Sequence, residues 1–186
     1  MLGFQTGCAP REIRPEGAWL EEREALFEAF PRWTVGGRLG LSDGERGGSL
    51  AFDWQADGDH HRVGLRTVTG GRQWRLEFGP GYAVLEGSDV GQMIGTDPDP
   101  LVEEAVGWPI PVGWLSRWLR GLPAPDEAVL AFAADGTLQG LRHDGWMLDF
   151  QRYRTAHAQV LLPVRLQAVN PPYRVRAALS GWDLGQ

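Results

Sequence analysis

The chain has 186 residues, long enough for one domain with a sizeable core and short for two. With 42% hydrophobic and 23% charged residues it is neither disordered nor fibrous in composition. The net charge is −6, all 18 basic residues are arginine and no basic stripe stands out, which excludes nucleic-acid binding through phosphate neutralisation.

Residues 1–16 read as an N-terminal tether and 17–186 as a single domain. The segment 9–16, "APREIRPE", is polar and carries two prolines. "GAWLEEREALFEAF" (17–30) reads as a helix, with Trp19, Leu20, Leu26, Phe27 and Phe30 on one side and the glutamates and an arginine on the other. Pro31 closes it. Strand signals follow. "WTVGGRLGLS" ends in the turn "DGERGG", and "SLAFDWQAD" alternates Leu50, Phe52 and Trp54 before the turn "DGD". "HRVGLRTV" and "RQWRLEF" flank a "TGG" hairpin, and "YAVLEG" follows "GPG". This is an antiparallel meander with one apolar face.

The period then changes. "DPDPLVEEAVG" (97–107) reads as a short helix starting near Asp99, and "PVGWLSRWLRG" as a second, with Pro111 in its first turn and Gly121 as its stop. Trp114 and Trp118 share a side of that helix with leucines adjoining, and Arg117 and Arg120 take the other. Strands resume with "AVLAFAADG", "TLQGLRHDG", "WMLDFQRYR", "AQVLLPVRLQAV" and "YRVRAALSGW", giving about ten or eleven in all. No hydrophobic run approaches the length of a membrane-spanning helix.

The chemistry of catalysis is nearly missing from the sequence. "DGDHHR" (57–62) sets His60 and His61 side by side, but neighbours on a strand point to opposite faces, so a polar turn is the better reading than a metal site. The glycine-rich stretches "GGRLG" and "TGG" lack the strand-to-helix context of a phosphate loop. No nucleophile stands beside a base, and no metal or cofactor is implied. Cys8 is the sole cysteine, so neither a disulfide framework nor a cysteine metal site can form within the chain. It follows a small residue near the start, as the lipid-accepting cysteine of an exported lipoprotein does, yet no charged and apolar leader precedes it. It reads either as an acylated cysteine whose leader is trimmed or miscalled, or as a free thiol on a frayed terminus. What remains is an inventory of nine tryptophans. A tightly filled core favours Leu, Ile and Val, whereas each indole N–H wants a partner. Repeated indoles on strands and on a covering helix suit either a packed core or a wide apolar cavity.

The stretch "GWPIPVGWLSRWLRGLP" (107–123) resembles the signature of the LolB family, outer-membrane lipoproteins that receive other lipoproteins from a LolA-like periplasmic carrier and insert them into the outer membrane. "FDWQADGDHHRVGL", "DGWMLDFQRY", "LPVRLQAV" and "VRAALSGWDL" are similar to its other strands. The resemblance implies a mainly β fold: an unclosed antiparallel half-barrel of about eleven strands around an apolar cavity, covered by short helices. It implies lipidation of Cys8, which would anchor the chain on the periplasmic face of the outer membrane. It implies acyl-chain contacts from Trp54, Leu101, Val102, Ile110, Leu115, Trp118, Leu119, Trp146 and Trp182. Family members insert a leucine on an early hairpin loop into the membrane; the matching residues here are Val68 and Thr69, a departure that weakens the contact. That departure favours the alternative, a non-catalytic envelope sensor or scaffold on a similar half-barrel that binds a protein or lipid partner without insertion.

Overall fold

Two antiparallel meanders share one sheet. The computed structural model describes residues 17–124, 128–156 and 160–185. The tether, with Cys8, lies outside them. Helix α1 (Ala18–Ala29) leads into β1 (Arg32–Ser42), β2 (Gly47–Asp57), β3 (His60–Thr67), β4 (Gln73–Gly79), β5 (Tyr82–Gly87) and β6 (Gly91–Gly95). After α2 (Pro98–Val106) and α3 (Val112–Trp118) come β7 (Val129–Phe132), β8 (Leu138–His143), β9 (Trp146–Ala156), β10 (Val160–Asn170) and β11 (Tyr173–Leu184). The order across the sheet is β6-β5-β4-β3-β2-β1-β11-β10-β9-β8-β7, all antiparallel, with the meanders joined where β1 pairs with β11.

This topology dictates where the lid goes. β6 and β7 are the two edges and do not pair, so the sheet is unclosed. The chain that leaves one edge must cross to reach the other, and that crossing is α2 and α3. The expected half-barrel of about eleven strands under short helices is therefore the observed architecture. One strand, β6, goes unannounced in the sequence: "GQMIG" is short, glycine-flanked and largely exposed, so it shows no clean alternation.

Alternation sets the buried face elsewhere. Leu50, Phe52, Trp54 and Ala56 of β2 point inward, as do Val63 and Leu65 of β3 and Trp74, Leu76 and Phe78 of β4. On the second meander Trp146, Leu148 and Phe150 of β9 do the same. The seam between the meanders needs close backbone approach. A Cβ on Gly37 would sit 2.2 Å from the Ala178 carbonyl oxygen, so β1 and β11 can meet there only through glycine.

The helices depart from expectation in detail. α2 begins at Pro98 with Asp97 as its N-cap, whose carboxylate accepts from Asp99 N. α3 is shorter than the sequence suggests. Pro111 is its N-cap rather than a first-turn residue, and Trp118 is its last residue. The stop at Gly121 holds: its φ is +75°, its N–H donates to the Trp118 carbonyl and Leu122 N–H to that of Arg117. Two arginines expected on solvent faces are not there. Arg23 is 4% exposed, stacks 4.0 Å over Trp19 and donates to the Leu161 carbonyl on β10. Arg120 lies over the rings of Phe27 and Trp33, at 5.2 and 5.7 Å. In both cases the long stem covers apolar surface and the guanidinium faces an aromatic plane.

Candidate functional site

The interior face carries most of the tryptophans, and each strand delivers its own. β1 contributes Trp33 and β2 Trp54, neighbours stacked at 6.2 Å. β11 adds Trp182, tilted against Trp33 at 5.7 Å, its indole donating to the Pro163 carbonyl at 2.9 Å. β9 adds Trp146, which meets Trp118 of α3 at 6.1 Å. One turn earlier, Trp114 sets its ring edge-on to His143 of β8 at 4.7 Å. Trp108, before α3, packs at the rim beside Gly48 with Arg46 over its ring.

Of the residues implied for acyl-chain contact, Trp54, Leu101, Val102, Ile110, Leu115, Trp118, Leu119 and Trp146 all fall in one buried cluster, and Trp182 packs against it partly buried. They fill the space they enclose: Val102, Trp118 and Leu119 are wholly buried. Three clefts of about 760, 510 and 420 Å³ open elsewhere and are lined largely by polar and charged residues; none of these nine residues borders them.

His61 departs from the polar-turn reading. His60 is exposed, as alternation requires, but His61 is 7% exposed and stacked on Phe78 at 4.7 Å. Its Nδ1 accepts from Trp54 Nε1 at 3.1 Å. Burial pushes its pKa down to about 4, with help from the Arg120 cation, so the ring is neutral at physiological pH. The signal was present in the sequence: His61 is in phase with Val63 and Leu65.

A half-buried acid joins the lid helices. Asp99, in the first turn of α2, accepts from Gly113 N of α3 at 2.9 Å. Burial raises its pKa to about 6; the Gly113 hydrogen bond opposes the rise and Asp97 adds to it. α2 in turn lies against β4, β5 and β6. α1 covers the other side. Trp19 Nε1 donates to the Gly121 carbonyl at 3.0 Å, and Trp19 meets Tyr153 at 5.1 Å.

The β3–β4 loop protrudes from a pinned base. Thr67 N–H donates to the Arg72 carbonyl and Val68 N–H to the Ser49 carbonyl. Behind it, Asp89 accepts from Trp74 Nε1 and pairs with Arg72. Gly70 and Gly71 turn the tip at positive φ. Val68 is 47% exposed and Thr69 is exposed beside it.

Among the described residues no group of three or more His, Cys, Asp or Glu side chains could hold a metal, and no helix is long and apolar enough to cross a membrane. The arrangement offers an apolar interior under short helices, with one apolar residue held out at a loop.

Comparison with known proteins follows the same lines. The family model described as outer membrane lipoprotein LolB matches residues 31–182. An outer-membrane lipoprotein LolB of Xanthomonas campestris pv. campestris (strain 8004) is 35% identical over 189 aligned residues, covering 97% of this chain and 87% of that one. One from Cellvibrio japonicus is 27% identical, covering 96% and 91%. Among solved structures, a LolA superfamily protein from Nitrosomonas europaea superposes with a TM-score of 0.61 at 10% identity, covering 91% of this chain and 93% of that one. A putative outer membrane lipoprotein-sorting protein domain from Vibrio parahaemolyticus gives 0.60 at 9% identity, covering 89% and 90%. At such identities these two speak for the fold alone.

Proposed function

Because the chain belongs to the family of outer membrane lipoprotein LolB, we propose that it receives lipoproteins from a LolA-like periplasmic carrier, holds their acyl chains beneath α2 and α3, and passes them into the outer membrane. Its role is in lipoprotein localisation at the outer membrane, and its family is not a catalytic one. In this reading Cys8 carries the lipid anchor, and the Val68–Thr69 loop touches the bilayer.

The observation that carries the acyl-chain reading is that the interior is mainly apolar and is closed over by the lid's own side chains. An exposed acyl chain costs about 0.8 kcal/mol per methylene, so a dozen methylenes cost about 10 kcal/mol in water. Leu115 and Leu119 each gain about 1.5–3 kcal/mol from burial, and Trp118 about 5 kcal/mol from the area of an indole. The lid's anchoring contacts and one incoming chain are therefore of the same order. A chain can replace the lid's side chains against β9 without a large net change, and a ligand shifts such an equilibrium by its differential affinity for the open state. No nucleotide motif appears in the sequence, so direction follows from rising affinity along carrier, receptor and membrane.

The test uses the indoles as reporters. A client peptide whose acyl chains carry bromine should quench the fluorescence of the buried tryptophans on contact, and the same peptide without acyl chains should not. Saturating acylated peptide with unchanged fluorescence would refute acyl binding in this interior.

A further inference from the structure

Two buried nitrogens along one seam have no hydrogen-bond partner among the described residues. Trp118 is wholly buried, and its Nε1 has no hydrogen-bond partner among the described residues; His143 Nδ1 is likewise buried and unpartnered. Both belong to the contact between α3 and the β8–β9 hairpin. Trp118 packs on Trp146, Trp114 packs on His143, and His143 and Trp146 face each other across that hairpin. Four other buried or partly buried indoles find partners: Trp19 in the Gly121 carbonyl, Trp54 in His61, Trp74 in Asp89 and Trp182 in the Pro163 carbonyl. A buried donor left unmade costs free energy that a phenylalanine would not incur. Packing alone therefore does not explain an indole at 118.

We propose that this seam is a carbonyl subsite, in which Trp118 Nε1 and His143 Nδ1 donate to the two ester carbonyl oxygens of a client's diacylglyceryl group once its chains have entered. The proposal rests on the acyl-chain reading above and adds polar recognition to it. The chemistry fits. An ester carbonyl accepts but does not donate, it travels at the head of an apolar chain, and two of them lie a few bonds apart on one glyceryl unit. An imidazole supplies an N–H at Nδ1 when that nitrogen carries the hydrogen. In the closed state the orphan nitrogens weaken the docking of α3; with ligand they are satisfied, so the same seam yields on arrival and tightens afterwards.

The test compares a peptide bearing S-(2,3-diacyloxypropyl)cysteine with its dialkyl-ether twin, which has the same chains but lacks both carbonyls. The native chain should bind the ester form about tenfold more tightly. Trp118→Phe should cut that preference about fivefold, the worth of one hydrogen bond, while leaving the empty protein's thermal midpoint unchanged or higher. His143→Phe should remove much of the rest. Equal affinity for ester and ether overturns the carbonyl subsite alone. So does a Trp118→Phe variant that weakens both ligands equally, or an ester preference seen with short-chain phospholipids but not with the peptide. Binding of neither form overturns the acyl-chain reading, and the subsite with it.

Discussion

Replacing His61 with phenylalanine should reshape how stability depends on pH. In the folded chain burial holds the imidazole at about 4 against its ordinary 6.5. The unfolded chain takes up a proton as pH falls below about 6.5, and the folded chain resists until about 4. The contribution of His61 is thus complete above pH 6.5 and is lost as pH falls to about 4, by about 3 kcal/mol. Asp99 works in the opposite sense. With its pKa raised from 3.8 to about 6, folding is penalised above pH 6, and the penalty is relieved as pH falls toward 3.8, again by about 3 kcal/mol. The two act in opposite senses, so each offsets the other in the native profile across this window. His61→Phe removes one arm and unmasks the other: stability should rise by about 3 kcal/mol from pH 6.5 to pH 4. At neutral pH the variant should be about 1–3 kcal/mol less stable than the native chain, because Trp54 Nε1 loses its acceptor. Urea unfolding at several pH values across that window reads both effects. A variant profile parallel to the native one would refute the buried, neutral histidine.

Asp99→Asn keeps an acceptor for Gly113 N–H and deletes the half-buried charge, so urea midpoints should show a gain of about 1–3 kcal/mol at pH 7 that vanishes near pH 4; a gain independent of pH would point away from ionisation. Gly37→Ala should cost about 3 kcal/mol or more in the same assay, since its methyl meets the Ala178 carbonyl oxygen at the β1–β11 seam. Val68→Leu adds one methylene to an exposed loop and should speed client transfer into phospholipid vesicles about threefold to fourfold, while Val68→Glu should slow it and leave client binding intact. A loop without effect on transfer would favour a receptor that binds but does not insert.

Much of this architecture could be read from period alone. The alternation of Leu50, Phe52 and Trp54 announced β2 and its buried face, and the change of period after residue 96 announced the lid. What escaped reading were side chains whose type contradicts their place. Arg23 and His61 are buried polar residues and Arg120 a half-buried one, and each is tolerated because an aromatic plane, a carbonyl or an indole meets it. Composition cannot reveal such pairings, because the partners lie on distant segments: Arg23 finds its carbonyl at Leu161 and Trp19 at Gly121. The interior itself was half legible. The resemblance named eight residues that gather in one buried cluster, but not that they would fill the cavity they line. His143 falls within the strand signal "TLQGLRHDG", where nothing local marks a nitrogen buried by a helix from elsewhere.

The failure of β6 and β7 to pair has a mechanical meaning. The two meanders are joined along β1 and β11 like covers along a spine, and the segment carrying α2 and α3 is a strap tied to both free covers. A strap can slacken or swing, but it cannot depart, and its extended length caps how wide the covers part. Since α2 and α3 advance only about 1.5 Å per residue, the reach of the strap resides in the non-helical residues around them. Among the described residues those include Ile110, Leu119 and Leu122, all buried, so the residues that give the strap its reach also hold it to the interior.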